Sequence, residues 1–202
     1  MIGIWKRVVF GEIFLLRLCR EGNLDKVQYI VSAGGQDLEE SNSAGQTALI
    51  VSAYFGRTEI VRFLLSYGRT ENTDINGCSA LCCACSRGHL AVCKVLIANG
   101  ADVNRESLAG GHPMERGQNV EACNSRGQTA LMYSAYFGQM NVVTYLLAKG
   151  ARRDRRNGRT AEDEAQARGH RAIVERKMVL PLYLLKTAHN HPMLIELKNG
   201  DF

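Results

Sequence analysis

The sequence predicts a mainly α-helical solenoid of stacked helix pairs with projecting hairpins, interrupted by a loop. Three observations predict this fold class. The segment 45–56 recurs almost unchanged at 127–138, and related copies begin at Gly77 and Gly158. Apolar residues at helical spacing follow each copy. A single pair of such short helices cannot bury its apolar face alone, so the copies are expected to stack on one another.

Each copy indicates a unit of turn, helix, turn and second helix. The opening glycine permits a turn conformation that other residues resist. A Ser or Thr two positions later is expected to cap the first helix with its side-chain oxygen. These capping residues are Thr47, Ser79, Thr129 and Thr160. A second glycine then ends the first helix, and the predicted C-terminal glycines are Gly56, Gly88, Gly138 and Gly169.

The repeat is best defined in Ser79-Ala80-Leu81, in Gly88-His89-Leu90-Ala91-Val92, and in Gly100-Ala101-Asp102-Val103-Asn104. In these residues the chain resembles the ankyrin-repeat family, whose unit is about 33 residues of paired antiparallel helices with a hairpin. The resemblance covers about residues 12–177. It departs from the family pattern by having Ala instead of Pro after the capping residue in all four copies. The resemblance implies an interaction scaffold that uses no cofactor.

The turn glycines divide the chain into two predicted blocks, because they recur every 31 to 34 positions except between Gly88 and Gly138, which are 50 apart. Residues 12–104 would hold a degenerate N-terminal repeat and two further repeats, after an N-terminal extension at 1–11. Residues 120–177 would hold one full repeat and a C-terminal cap, since charged residues there replace the apolar ones of inner repeats. Between them, 105–119 is either a surface loop, a recognition loop or a degenerate repeat without helices.

The C-terminal segment 178–202 no longer fits the repeat. From Met178 to Gly200 it resembles the start of the fourth subunit of the Sm-like (LSm) family, whose RNA-binding rings act in splicing and mRNA decay. In that family this part is a helix and the first strand of a small barrel. The resemblance transfers no RNA-binding residue, and a helix with one strand cannot bury a core. A fusion and a truncated or mis-joined gene both stay open, with RNA processing as the alternative function.

The composition sets broad limits on function. The chain is 46% hydrophobic and 22% charged, which excludes disordered and collagen-like classes. A formal net charge of +5 permits an acidic partner without requiring nucleic acid. Seven cysteines, four of them within 78–85, predict free thiols and therefore the cytoplasm or nucleus. Glu12 and Arg17 interrupt the N-terminal apolar run, which argues against a secretory signal, and no segment is apolar enough for a membrane span.

Two chemical sites are alternatives to simple packing of the cysteines. One is a metal site, and its candidate ligands are Cys78, Cys82, Cys83, Cys85, His89 and Cys93. They lack paired Cys-x-x-Cys spacing, and buried free cysteines pack as small apolar residues. The other is a Cys-His nucleophile, for which no third orienting group is recognisable. We therefore predict no catalytic, metal or cofactor-binding residue.

The resemblance implies a partner-binding surface on the hairpin tips and on the concave face of the first helices. The residues at matching positions are Ser43, Gln46, Tyr54, Phe55, Asn76, Ser86, Arg87, Arg126, Gln128, Tyr136, Phe137, Arg156 and Arg159, with Ala44, Ile75, Ser125, Asn157 and Arg168 beside them. The partner is expected to be another protein of unknown identity.

Two features of this surface each have two interpretations. The Tyr-Phe pairs at 54–55 and 136–137 would be good anchors, because aromatic side chains dominate interface hot spots. Alternatively, one ring of each pair packs between neighbouring repeats. The arginine-rich run 152–159 is either a solvated hairpin or a patch for an acidic partner or nuclear import.

Overall fold

The computed structural model describes residues 13–34, 37–67, 73–75, 77–106, 128–153 and 160–175. Within these ranges the regular structure is helical, apart from isolated bridge residues, which are Thr160 and the antiparallel pair Thr73 and Ser79. The predicted mainly α-helical solenoid is therefore confirmed. The Sm-like segment 178–202 and the extension 1–11 lie outside the described residues.

The helices come in consecutive pairs of a first and a second helix. In chain order they are α1 (Phe14–Glu21), α2 (Leu24–Ser32), α3 (Ala48–Tyr54), α4 (Thr58–Leu65), α5 (Ala80–Arg87), α6 (Leu90–Ala98), α7 (Ala130–Tyr136), α8 (Met140–Ala148) and α9 (Ala161–Ala167). A helical turn at 171–175 follows α9 in the place of a second helix.

The ends of the first helices follow the predicted signals with one exception. The glycine after each first helix has a positive φ, as at Gly88 with φ 75°. Ser79, Thr129 and Thr160 accept hydrogen bonds at the helix starts, and Thr160 forms a capping box with Asp163. Thr47 was expected to do the same, but its side chain makes no capping hydrogen bond. Its hydroxyl oxygen is buried without a partner among the described residues.

The pairs stack into two continuous rows. First helices pack in the order α1, α3, α5, α7 and α9, while second helices pack in the order α2, α4, α6 and α8. Helix α7 therefore lies directly on α5, although about 40 residues of chain separate them in sequence. The long gap adds no layer between the third and fourth pairs. The two predicted blocks meet in one stack, and most of 105–119 lies outside the described residues.

The core runs along the stack between the two rows. Small residues of the first helices let neighbouring helices approach closely. In α5, for example, every residue from Ala80 to Ser86 is buried. Larger side chains fill the remaining space, and the largest fully buried one is Tyr133. Its hydroxyl lies 3.2 Å from Cys78 Sγ, so this buried polar group has a partner. None of the helices in the described part of the chain is long and apolar enough to cross a membrane.

Candidate interaction surface

One hydrogen bond recurs wherever two repeats meet. The residue that follows each turn glycine reaches back to the carbonyl oxygen two positions before the preceding repeat's turn glycine. The contacts are Arg57 Nε and Nη2 to Arg20 O at 3.0 and 2.8 Å, His89 Nε2 to Tyr54 O at 3.1 Å, Gln139 Nε2 to Ser86 O at 3.4 Å, and His170 Nε2 to Tyr136 O at 2.9 Å. A carbonyl oxygen only accepts, so both histidines carry a proton on Nε2. These contacts hold the C-terminal ends of the first helices in a row.

The turn glycines leave room for these side chains. A Cβ on Gly56 would lie 2.7 Å from His89 Cε1, and a Cβ on Gly138 would lie 2.7 Å from His170 Cε1. Both glycines also have positive φ, of 69° and 73°. Any other residue would therefore be strained in the backbone and would push the imidazole away from its carbonyl partner.

An aromatic–arginine cluster forms where the second repeat, with helices α3 and α4, meets the third repeat, with helices α5 and α6. The rings of Tyr54 and Phe55 lie 5.1 Å apart in an edge-to-face arrangement. Arg87, from the next repeat, places its Cζ 4.3 Å from the centroid of the Tyr54 ring. We call Tyr54, Phe55 and Arg87 the first aromatic–arginine cluster.

The same arrangement recurs between the fourth and fifth repeats. The rings of Tyr136 and Phe137 lie 5.0 Å apart, again edge to face, and Arg168 Cζ lies 4.0 Å from the Tyr136 centroid. We call these three residues the second aromatic–arginine cluster. The two clusters match because Phe and Arg alternate at the position before the turn glycine, in the order Phe55, Arg87, Phe137 and Arg168.

The structure exposes only part of the predicted partner-binding set. Ser43 and Arg87 are exposed, while Phe55 and Phe137 are partly buried. Asn76, Arg126, Arg156 and Arg159 lie outside the described residues. The remaining five are buried: Gln46, Tyr54, Ser86, Gln128 and Tyr136. Almost none of the surface of these five is accessible in this structure, and their contact with a partner stays a prediction.

Each of the three buried polar side chains forms a hydrogen bond within the protein. Gln46 Oε1 accepts a hydrogen bond of 2.9 Å from Asn42 Nδ2, which closes the hairpin turn. Ser86 Oγ donates to the Cys83 carbonyl at 2.8 Å. Gln128 is 0% exposed and its Nε2 lies 3.4 Å from Glu164 Oε1, so it joins the fourth and fifth repeats.

The two tyrosines are buried by the next repeat. Tyr54 and Tyr136 are 5% and 6% exposed, because a neighbouring arginine covers one face of each ring. The interpretation that one ring of each aromatic pair packs between repeats therefore holds for the tyrosine. The phenylalanine of each pair is partly buried and packs against the core. Alternation of Phe and Arg at one repeat position was the sequence signal that could have identified this stacking.

The hairpin tips add an exposed apolar residue. Ile75 is 69% exposed, and its backbone N–H donates to the Ala44 carbonyl at 3.1 Å, so two neighbouring tips are joined. A Cβ on Gly45 would come within 2.8 Å of Ile75 N, which explains why this tip needs a glycine. Ile75 and Ser43 hold equivalent positions in neighbouring repeats and stand together at the edge of the surface.

The charge in the middle of this surface is one-sided. Helices α3, α5 and α7 contain no Asp or Glu, and Arg87 is their one charged residue, whereas α9 carries Glu162, Asp163 and Glu164 in its first turn. Among the described residues, neither Arg87 nor Arg168 has a carboxylate within ion-pair distance. Burial lowers the pKa of His89, and the positive charges of Arg87 and Arg57 lower it further. The surface around His89 is therefore positively charged.

The cysteine cluster packs within the core. Cys85 and Cys93 place their sulfur atoms 3.6 Å apart, and all six cysteines of the described ranges are buried and free. Burial raises the pKa of Cys19 to about 11 and raises the pKa of Cys82, Cys83 and Cys85 as well. Thiolates are the reactive and metal-binding form, so burial disfavours both chemistries. In the described ranges, no group of three or more His, Cys, Asp or Glu residues could hold a metal ion.

Family comparison agrees with this architecture. Residues 15–107 match the family described as ankyrin repeats in three copies. Residues 81–147 match the family described as ankyrin repeats in many copies. The second match extends from α5 to α8 and so crosses the long gap, in agreement with the direct stacking of α7 on α5.

The chain is also similar to parts of larger curated proteins. A homolog of transient receptor potential cation channel subfamily A member 1 from Caenorhabditis elegans is 30% identical over 172 residues, which cover 75% of this chain and 14% of that protein. Human ankyrin repeat domain-containing protein 63 is 28% identical over 177 residues, which cover 82% of this chain and 42% of that protein. The chain therefore spans less than half the length of either relative.

A short match of a different kind accompanies them. The probable U6 snRNA-associated Sm-like protein LSm4 of Caenorhabditis elegans is 83% identical over 24 residues, which cover 12% of this chain and 20% of that protein. This match agrees with the Sm-like resemblance predicted for the C-terminal segment. It is too short to include a complete barrel.

Proposed function

This chain belongs to the ankyrin-repeat family, and we propose that it is a scaffold that holds a protein partner on its hairpin tips and first-helix face and catalyses no reaction. The observation that carries the proposal is the continuous row of first helices. At the C-terminal ends of these helices, two exposed arginines lie beside two partly exposed phenylalanines. Aromatic and arginine side chains are enriched among interface hot spots.

The joints between repeats support a binding role. Hydrogen bonds from Arg57, His89, Gln139 and His170 hold the ends of neighbouring first helices together before any partner arrives. A preorganised surface loses less conformational freedom on binding, so more of the contact energy appears as affinity. Catalysis is disfavoured because the cysteines of the described ranges are buried, and burial raises the pKa of the Cys85 thiol well above its ordinary value.

The proposed location is the cytoplasm, the nucleus or both. Six cysteines of the described ranges are free, and the closest sulfur pair, Cys85 and Cys93, lies at 3.6 Å without a disulfide. Proteins of oxidising compartments commonly pair such thiols. Expression of a tagged full chain with fluorescence microscopy tests this location.

An RNA-processing protein of the Sm-like ring is the second candidate function. The 24-residue match to an Sm-like protein favours it. Sequencing the full-length transcript distinguishes the two candidates. A reading frame that continues into further barrel strands supports the Sm-like function, and a stop codon after Phe202 removes it.

Affinity capture with quantitative mass spectrometry tests the scaffold role. The bait is the full chain, compared with an Arg87→Ala, Arg168→Ala double variant and with Arg62→Ala as a matched control. Arg62 is an exposed arginine on second helix α4, away from the first-helix row. We expect one or more proteins to be captured by the wild type and by the control and to be lost with the double variant. Identical capture by all three would contradict the surface assignment.

A further inference from the structure

We propose that the two aromatic–arginine clusters form one bivalent site for an extended acidic peptide, in which each arginine binds a carboxylate and each phenylalanine packs on a neighbouring apolar side chain. This inference rests on the proposed scaffold function and adds the chemistry of the partner. It depends on the stacking of Arg87 and Arg168, on the two phenylalanines and on the charge of the surface.

The stacked arginines are oriented to bind carboxylates. Arg87 and Arg168 lie 4.3 and 4.0 Å above tyrosine ring centroids, so one flat face of each guanidinium is occupied. The N–H groups around the edge stay available, and this fork matches a carboxylate with two parallel hydrogen bonds. Both residues are exposed, and neither pairs with a carboxylate in the described part of the chain. Stacking therefore fixes the orientation of each guanidinium group, and a carboxylate of the peptide would supply the opposite charge.

The phenylalanines supply the apolar half of each subsite. Phe55 and Phe137 are partly buried, and each is held edge to face by its own tyrosine at 5.1 and 5.0 Å. A ring held in this way presents apolar area with little loss of freedom on binding. Each cluster therefore fits an acidic residue with an apolar neighbour.

The surrounding charge favours an acidic peptide over a nucleic acid. No Asp or Glu lies on α3, α5 or α7, and the acidic residues of α9 lie in its first turn, at the opposite end of that helix from Arg168. Binding of nucleic acid depends on many phosphate contacts from Lys and Arg. Arg87 is the one charged residue of these three helices, and Arg168 at the end of α9 adds only a second positive charge to the two clusters, which is too sparse for that mode.

The spacing of the clusters sets the length of the peptide. Arg87 and Arg168 occupy the same position in the third and fifth repeats, so one layer of helices lies between them and they are two helix-to-helix spacings apart. Packed helices lie about 8–10 Å apart, which places the two guanidinium groups roughly 16–20 Å from each other. An extended chain advances about 3.3 Å per residue, so the two acidic residues should be about five or six positions apart.

Selection from a displayed library of random peptides of about 12 residues tests this proposal, with the full chain as target. We expect the selected peptides to contain two Asp or Glu residues at the spacing given above, each beside a large apolar residue. Synthetic copies with a fluorescent label are then measured by anisotropy. Arg87→Ala and Arg168→Ala should each weaken binding about tenfold or more, since each removes a charged pair of hydrogen bonds.

Matched controls separate this site from nonspecific charge attraction. Arg62→Ala removes the same charge from second helix α4 and should leave the affinity unchanged. Arg87→Lys keeps the charge but loses the planar fork, so it should bind more weakly than wild type. Far-UV circular dichroism checks that each variant keeps its helices.

The inference would be overturned by selected peptides without the paired acidic residues, by equal binding of the Arg87→Ala, Arg168→Ala double variant, or by the selection of no peptide at all. Tighter binding of a single-stranded oligothymidine probe than of any peptide would also overturn it. Partner capture tests the scaffold function separately. A captured protein that is lost with the arginine variants would support that function even if the peptide selection failed.

Discussion

Replacement of Gly138 by Ala tests whether the turn glycines and the histidine hydrogen bonds hold neighbouring repeats together. Gly138 has a φ of 73°, and a Cβ there would lie 2.7 Å from His170 Cε1. The imidazole would have to move, and its 2.9 Å hydrogen bond to the Tyr136 carbonyl would be lost. Gly169 holds the same position in the next repeat with a φ of 74°, but no described atom lies within 4 Å of a Cβ there.

The two substitutions should therefore differ by the cost of displacing His170. A left-handed conformation costs a non-glycine residue about 1–2 kcal/mol, and both variants bear this cost. The loss of one hydrogen bond costs about 1 kcal/mol more in Gly138→Ala alone. We expect the free energy of unfolding to fall by about 1–2 kcal/mol for Gly169→Ala and by about 2–3 kcal/mol for Gly138→Ala.

Urea unfolding of the full chain, followed by far-UV circular dichroism, measures these changes. The same two substitutions are then made in a His170→Ala background, where the imidazole is absent. There the cost of Gly138→Ala should fall to that of Gly169→Ala. This double-mutant cycle isolates the contact between Gly138 and His170.

Two results would refute the reasoning. In the first, Gly138→Ala costs no more than Gly169→Ala, which would mean that the imidazole moves without loss. In the second, the extra cost persists in the His170→Ala background, which would place its origin elsewhere in the turn.

Three further predictions concern side chains inside the stack. Burial and nearby arginines lower the folded-state pKa of His89 below its ordinary value of about 6.5. At a pH between the folded-state pKa and about 6.5, His89 is protonated in the unfolded chain but not in the folded chain. Its contribution to stability should therefore fall as pH drops below about 6.5. His89→Gln, which copies Gln139, should unfold with a weaker pH dependence than wild type in urea melts from pH 7.5 to 5.5; parallel curves would contradict this. The buried thiols, with the pKa of Cys19 at about 11, should react slowly with iodoacetamide in the native state and fast in urea, as peptide mass spectrometry can measure. Rapid native labelling of any of the six would count against the packing. Thr129→Val should cost about 1 kcal/mol through its lost cap, whereas Thr47→Val should cost almost nothing, because that hydroxyl makes no cap; equal losses in thermal melts would refute the distinction.

Local signals in the sequence were enough to predict the repeat. Glycine at the end of each first helix and Ser or Thr at its start are determined by backbone geometry within a few residues. The helix pairs at α3 with α4, α5 with α6 and α7 with α8 therefore appear where the sequence predicted them. Thr47 is the exception, because whether a hydroxyl reaches a backbone N–H depends on its final rotamer.

The binding surface was harder to predict because exposure depends on the neighbouring repeat. Position within the unit selected Tyr54 and Phe55 equally as anchors. Only the packed structure places Arg87 over the tyrosine and leaves the phenylalanine partly exposed. Gln46 and Gln128 were likewise chosen by position, but the turn and the next repeat bury them.

Local sequence signals predict a stack of helix pairs, because glycine turns, capping residues and apolar spacing act within each unit. The direct packing of α7 on α5 despite the long gap between them is visible only in the folded chain. The folded chain also shows that an arginine of the next repeat covers the tyrosine of each aromatic pair, while the phenylalanine stays partly exposed. Both outcomes depend on contacts between residues that are 30 or more positions apart, since one repeat's surface is completed by side chains of the next.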